Sequence, residues 1–119
     1  MFKISCIQLR SSDNVKDNLK KTSDLIIKAI KKKSDFIVTP ECSSIMHLNR
    51  KNLINNISYM NKDIYCLGIR KIAKKYKKWI LIGSLITKNS KNQLVNRSVL
   101  ISPLGRVASY YDKIHMYDA

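Results

Sequence analysis

No apolar run in this sequence approaches the roughly 20 residues that a membrane-spanning helix needs, and its apolar stretches are strand-sized and broken by Lys or Ser. Residues 1–9 alternate polar and apolar, so they lack the apolar centre and small-residue cleavage site of a secretory signal. These absences point to a cytoplasmic protein with no membrane partner. Cysteine is scarce. Cys6, Cys42 and Cys66 are odd in number and widely spaced, with no C-x-x-C and no His at ligand spacing, which argues against both a disulfide framework and a zinc site. Each thiol reads as a small buried apolar group, because free cysteine is among the most buried residue types. Internal repeats and low-complexity linkers are also missing, so the 119 residues hold no domain boundary.

Lysine, in contrast, is abundant. Lys and Arg number 23 against 8 acidic residues, a net charge of +15, and a polyanion partner is one reading of that excess. The lysines are nevertheless mixed with Ile and Asn along the whole chain. They are not gathered with aromatics and Gly into one phosphate-binding face. Lys31, Lys32 and Lys33 end one predicted helix, and Lys74, Lys75, Lys77 and Lys78 crowd the end of another, where cations complement the negative end of the dipole. A solvated, evenly charged surface is the favoured reading. A basic nucleic-acid-binding module and a non-catalytic interaction protein stand as alternatives.

Periodicity supplies the elements. Residues 2–9 read as a strand, with Ile4, Cys6 and Gln8 on one face and Ser5, Ile7 and Leu9 on the other. Asp13 or Asn14 can cap a helix over 15–33, in which Val15, Leu19, Thr22, Ile26, Ala29 and Ile30 recur at three- and four-residue intervals. Residues 36–39 form a short apolar strand halted by Pro40. The polar, Asn-rich stretch 43–61 shows no sustained period and reads as a long excursion with some helix. A second helix covers 63–76, its stripe formed by Cys66, Ile69, Ala73 and Tyr76, and a buried strand covers 79–86. Strands over 94–101 and 107–111 are joined by a turn in which Pro103 and Gly105 sit where a hairpin with a bulge wants them. The class is α/β. The chain stops soon after a strand, which leaves an open sheet edge and an apolar face.

Two positions attract attention as chemistry. Glu41 is the sole glutamate and follows Pro40 at the carboxyl end of a buried strand, where α/β folds place ligand-contacting groups; a plain loop carboxylate is the competing reading. Lys113, within Tyr111, Asp112, Lys113, Ile114 and His115, is by spacing only one lysine among many.

The order of these segments adds to that. The opening strand ending Ile7, Gln8, Leu9, the helix bearing Asn18 and Leu19, the run Thr39, Pro40, Glu41, the stretch from Trp79 to Ser84, Asn96, Arg97 and Ser98, the turn from Pro103 to Gly105, and the run from Tyr111 to Asp118 together resemble the nitrilase superfamily of carbon-nitrogen hydrolases. The likeness is greatest to its amidase branch, which includes omega-amidases and deaminated-glutathione amidases. It implies that residues 1–119 are the N-terminal part of a single hydrolase domain, a partial four-layer α-β-β-α sandwich lacking its C-terminal half. In that family a Cys, a Glu and a Lys form the catalytic triad. The resemblance gives Glu41 the base role and Lys113 the oxyanion role. It implies no cofactor and no metal, a small-molecule amide substrate, and a complementing C-terminal chain or a homo-oligomer as partner. The family's cysteine has no counterpart here: Cys42 adjoins Glu41 on what reads as an extended segment and so points away from it, while Cys6 and Cys66 belong to strand and helix cores. Asn96 and Arg97 are expected to fix the hairpin, His115 to support the Lys113 loop, and His47 to be exposed. The isolated chain is accordingly expected to be inactive.

Overall fold

The computed structural model describes residues 1–45 and 57–113. Helix α1 spans Val15–Lys31, and Asn14, rather than Asp13, caps it by accepting the Asp17 N–H at 3.1 Å. It closes through Lys33 at φ 68°, which lets the Ser34 N–H reach back to the Ala29 carbonyl at 3.1 Å, a C-terminal wrap onto an acceptor that the Lys32 N–H also reaches at 3.1 Å. Helix α2 spans Ile64–Tyr76, with the buried Asp63 carboxylate accepting the Cys66 N–H at its start and Lys77 left-handed at its end.

Five strands make one sheet in chain order: β1 (Ile4–Cys6), β2 (Phe36–Val38), β3 (Trp79–Lys88), β4 (Leu94–Ile101) and β5 (Val107–Asp112). The first three are parallel and the last three antiparallel. Strand β1 is shorter than the expected 2–9. Its neighbour β2 ends at Val38, and Pro40 has no N–H to extend the ladder, so a single further bond, Ile7 N–H to the Val38 carbonyl, completes it. Strand β3 is longer than expected because its end pairs with the start of β4, Lys88 opposite Leu94. The β4–β5 turn is as expected. Gly105 takes φ 75°, its N–H meets the Ser102 carbonyl, and its own carbonyl accepts from Arg70 Nε at 2.8 Å, which pins the turn to α2. Of the excursion expected over 43–61, residues 46–56 lie outside the described residues; Met60–Lys62 forms one 3₁₀ turn.

Both helices lie on one face of the sheet. Ile26 and Ala29 of α1, with Tyr65, Cys66, Ile69 and Ala73 of α2, pack against Ile37, Ile80, Ile82, Val99 and Ile101. Strand side chains alternate, so Ile4, Cys6, Phe36, Val38, Trp79, Leu81, Leu100 and Tyr111 share the opposite face. No described element covers it: Ile4 is 56%, Trp79 39% and Tyr111 59% exposed. The described chain is thus one helical layer on one sheet. The uncovered face also corrects the expectation for Cys6, which is exposed because its strand face has nothing packed on it.

Each helix returns against the parallel strands, so the basic last turns, Lys28 and Lys31 of α1 and Lys74 and Lys75 of α2, fall where those strands begin. Lys3, just before β1, donates its ammonium there to the Lys32 carbonyl at 2.7 Å. Glu41 lies at the other end, so the bulk of this charge is remote from it.

One close approach governs where β2 leads. A Cβ placed on Gly83 would overlap the Thr39 carbonyl oxygen and lie 2.9 Å from the Pro40 carbonyl, and both obstacles are backbone. Gly83→Ala is therefore expected to cost about 1–3 kcal/mol or more, whereas Ser109→Ala, on the exposed side of β5, should stay within about 0.5 kcal/mol. Denaturant melts of both variants test this. The uncovered face makes a second prediction: the purified chain should bind a hydrophobic dye and elute larger with rising concentration. Trp79→Lys with Tyr111→Lys should reduce both effects without lowering the melting temperature. A sharp monomer peak with no dye uptake would show the face to be covered.

Candidate active site

The Glu41 turn is built on a bulge in β3. Between the pairs Ile82–Val99 and Leu85–Arg97, two residues of β3 oppose one of β4, which frees the backbone groups of Gly83 and Ser84 from the ladder. Those groups hold the chain leaving β2. The Gly83 N–H donates to Thr39 Oγ1 at 3.1 Å, and the Ser84 N–H to the Pro40 carbonyl at 3.3 Å. Ser84 Oγ accepts the Cys42 N–H at 2.6 Å, and the Ser84 carbonyl accepts the Ser43 N–H at 3.1 Å. From the α1 side, the buried Asn18 amide bonds the Ser12 and Ser44 carbonyls. Thus Glu41 stands on a turn fixed from both directions.

Lys113 arrives from the far edge of the sheet. Arg97, buried on β4, clamps Asp112 through Nε at 2.6 Å and Nη2 at 3.0 Å, and its guanidinium lies 4.1 Å from the centre of the Tyr110 ring. The Asn96 carbonyl accepts the Lys113 N–H at 3.0 Å. The Asn96–Arg97 dipeptide therefore grips the Asp112–Lys113 dipeptide, which accords with the expected hairpin role.

These two lines of support bring the sequence-selected residues together. The Lys113 ammonium donates directly to Glu41 Oε1, and Asn96 Nδ2 approaches the same oxygen at 3.4 Å. The hydrogen bond from Lys113 holds the Glu41 carboxyl below its ordinary value; slight burial opposes this, and the Lys113 charge and the Asn96 amide add to it. Glu41 is consequently a carboxylate at neutral pH. Its side chain is 61% exposed and that of Lys113 40%, so as a solvent-screened pair the two contribute little to stability.

Cys42 lies beside Glu41 for a different reason than its sequence context suggests. The segment is a turn with Cys42 at φ 51°, not an extended run. Its side chain packs against Ile45, Ile57 and Ile86. Burial pushes its thiol up, against the effect of the Ser84 bond, and the Glu41 carboxylate pushes it further. Such a thiol is not an activated nucleophile. Cys66, inside the helical layer, is pushed up to about 11, first by burial and then by the Asp63 charge. Among the described residues no group of three His, Cys, Asp or Glu is placed to hold a metal ion. His47 and His115 lie outside the described residues.

Spacing along the chain gave no sign of Ser84, 42 residues from the Cys42 N–H that it accepts, nor of Asn96 as a neighbour of Glu41.

The sequence pattern of the carbon-nitrogen hydrolases matches residues 3–119. The chain is 28% identical over 117 residues to a deaminated glutathione amidase of Yersinia enterocolitica, covering 97% of this chain and 40% of that protein. It is 27% identical over 111 residues to the nitrilase and fragile histidine triad fusion protein NitFhit of Drosophila melanogaster, covering 93% of this chain and 24% of the relative. Among solved structures, C. elegans NitFhit superposes with a TM-score of 0.81 at 25% identity, over all of this chain and 30% of that one. An N-terminal amidase crystallised with a Gln-Gly peptide shares the fold, with a TM-score of 0.83 at 22% identity over 98% of this chain and 28% of that one. The 119 residues thus span well under half the length of these relatives, and along nearly all of that span the chain belongs to the carbon-nitrogen hydrolase family.

Proposed function

We propose that this chain supplies two of the three working groups of an amide-hydrolysing site, Glu41 as general base and Lys113 as oxyanion partner, and that the cysteine nucleophile comes from a complementing segment. The observation that carries the reading is the contact between the sole glutamate and one lysine out of many, 72 residues apart in sequence. Solvated surface pairs are common, but this one sits on a turn fixed by β3 and a strand end fixed by β4.

The chemistry follows from the residue types. The Glu41 carboxylate takes the proton of the incoming thiol, and the thiolate forms a C–S bond to the amide carbon. The carbonyl oxygen becomes an oxyanion, which the Lys113 ammonium stabilises. As the ammonium turns toward that oxyanion its hold on Glu41 weakens, so the carboxyl gains proton affinity at the stage where it must carry a proton. That proton then leaves with the departing amine as the C–N bond breaks. Water, deprotonated by Glu41, cleaves the thioester, releases the acid and restores the thiol. Relatives named as amidases support a small amide as substrate. Cytoplasmic activity accords with the absence, among the described helices, of any long and apolar enough to cross a membrane. A second reading, a non-catalytic interaction protein, has the uncovered sheet face in its favour. Nucleic-acid binding has no comparable support, because lysines at helix ends have a local electrostatic role.

The chain alone should release no ammonia from omega-amides or short aliphatic amides above the buffer rate. Mixed with the remaining, cysteine-bearing part of an amidase relative, it should hydrolyse them. In that complex Glu41→Gln should abolish turnover, and Lys113→Met should lower kcat by about 10²–10³-fold. Turnover by the chain alone that survives Cys42→Ala and vanishes in Glu41→Gln, or a complex indifferent to both substitutions, would overturn the assignment.

The pH dependence has a defined sign. A carboxyl depressed below its ordinary value of 4.5 keeps its base form at neutral pH and loses it only as pH falls through the depressed value. The acid limb of kcat/KM should therefore lie below 4.5 in the wild-type complex, and the residual activity of Lys113→Met should show that limb moved upward. An unmoved limb would show that Lys113 does not act on Glu41.

A further inference from the structure

Asn96 touches both members of the pair. Its backbone carbonyl holds the Lys113 N–H at 3.0 Å, and its side-chain amide approaches Glu41 Oε1, the oxygen that Lys113 also contacts. It is 7% exposed, and its Oδ1 is buried with no hydrogen-bond partner among the described residues. This combination is uneconomical for a residue that only fills space. A buried acceptor left unpaired costs about 1–3 kcal/mol, and an apolar side chain of the same shape, such as Leu, would avoid that cost while leaving the backbone bond to Lys113 intact. The amide can face the site in only one way. Turned by 180°, it would set Oδ1 against the Glu41 carboxylate, two acceptors without a proton between them. The orphaned oxygen thus follows from directing Nδ2 at Glu41.

We infer that Asn96 is a positioning residue for the catalytic pair, its amide steering the Glu41 carboxylate into the reach of Lys113. The inference rests on the reading of Glu41 and Lys113 as a working pair, and it goes beyond a role in fixing the hairpin, which the backbone carbonyl fulfils whatever the side chain is. At 3.4 Å the amide contact is long and its energy modest. Its effect is directional: it fixes one carboxylate oxygen on the β4 side of a turn whose side chain is otherwise mostly in solvent. Among the described residues, the titratable group that acts on the Glu41 carboxyl is Lys113, while the Cys42 thiol is itself pushed up by the Glu41 charge.

The experiment uses the sole glutamate. Labelling the full chain with glutamate carrying carbon-13 at Cδ gives one carboxyl resonance, and its pH titration reads Glu41 directly without any turnover. The wild-type midpoint should lie below 4.5. Asn96→Leu should move it upward, and Asn96→Ser, which lacks the reach to Glu41 but is smaller and polar, should move it in the same direction. A purely structural Asn96 predicts the contrary pattern: melting temperatures that change while the Glu41 midpoint stays at the wild-type value, and that pattern would overturn the inference. Lys113→Met is the control on the underlying reading. A midpoint that responds to Lys113→Met but to neither Asn96 variant rejects the positioning role and leaves the pair standing. A midpoint that responds to none of the three, or that lies at the ordinary value in the wild-type chain, rejects both.

Discussion

The site depends on one steric contact, the passage of the Thr39–Pro40 backbone across Gly83. A side chain at that point would push the end of β2 off the sheet. The contact works together with the β3 bulge, which turns the backbone groups of Gly83 and Ser84 toward the Glu41 turn and away from the ladder. A regular β3 would spend those groups on β4 and leave the turn to solvent, with nothing to set the direction of Glu41. Strain of the left-handed kind is then stored at Cys42, where φ is 51°, and the Ser84 hydroxyl bond to its N–H offsets it locally.

Electrostatics at the site divides into two pairs with different tasks. Arg97–Asp112 is a two-point clamp on a buried guanidinium, so its geometry is sharply defined and breaking it would leave a buried charge unpaired. Glu41–Lys113 is exposed, screened and weak as a stabilising contact. The first makes the second possible, because Asp112 and Lys113 are adjacent and the clamp fixes where β5 delivers the lysine. Stability is invested one residue away from the chemistry, and the reacting groups remain free to exchange partners.

The parts of this arrangement that were legible in the sequence are those governed by local rules. Three- and four-residue spacing located both helices, Asn14 was one of two residues offered as the first N-cap, and Pro103 with Gly105 marked the hairpin, whereas Asp63, read as helical, is the cap of the second helix. Pro40 located the end of β2 to within a residue, but it also cut β1 short, a consequence of strand pairing that alternation within residues 2–9 could not reveal. Lys113 was invisible by spacing in so basic a chain, and only the order of motifs singled it out. Cys6 was misread because alternation says that a strand has two faces and not whether each is covered. For Cys42 the sequence suggested an extended backbone, while the left-handed turn depends on the hydrogen bond that its N–H donates to Ser84 Oγ. Asn18, counted only as a marker of resemblance, joins two loops because of contacts that no periodicity encodes.

The uncovered face bears on the strength of the pair as well as on solubility. Ile4, Trp79 and Tyr111 are wet for the same reason that Glu41 and Lys113 are screened: the described chain places one layer on one side of the sheet only. Two unit charges at contact interact several times more strongly at an effective dielectric of about 20 than in bulk water. A layer laid over the apolar face and reaching the Glu41 turn would bury hydrophobic surface and, in the same step, expel water from the pair. Desolvation would oppose each charge singly while their mutual attraction rose, so the pair would gain in coupling without any new polar contact. The position of Asn96 makes sense in that setting, because a buried amide already aimed at Glu41 supplies its direction at no reorganisation cost once water has left.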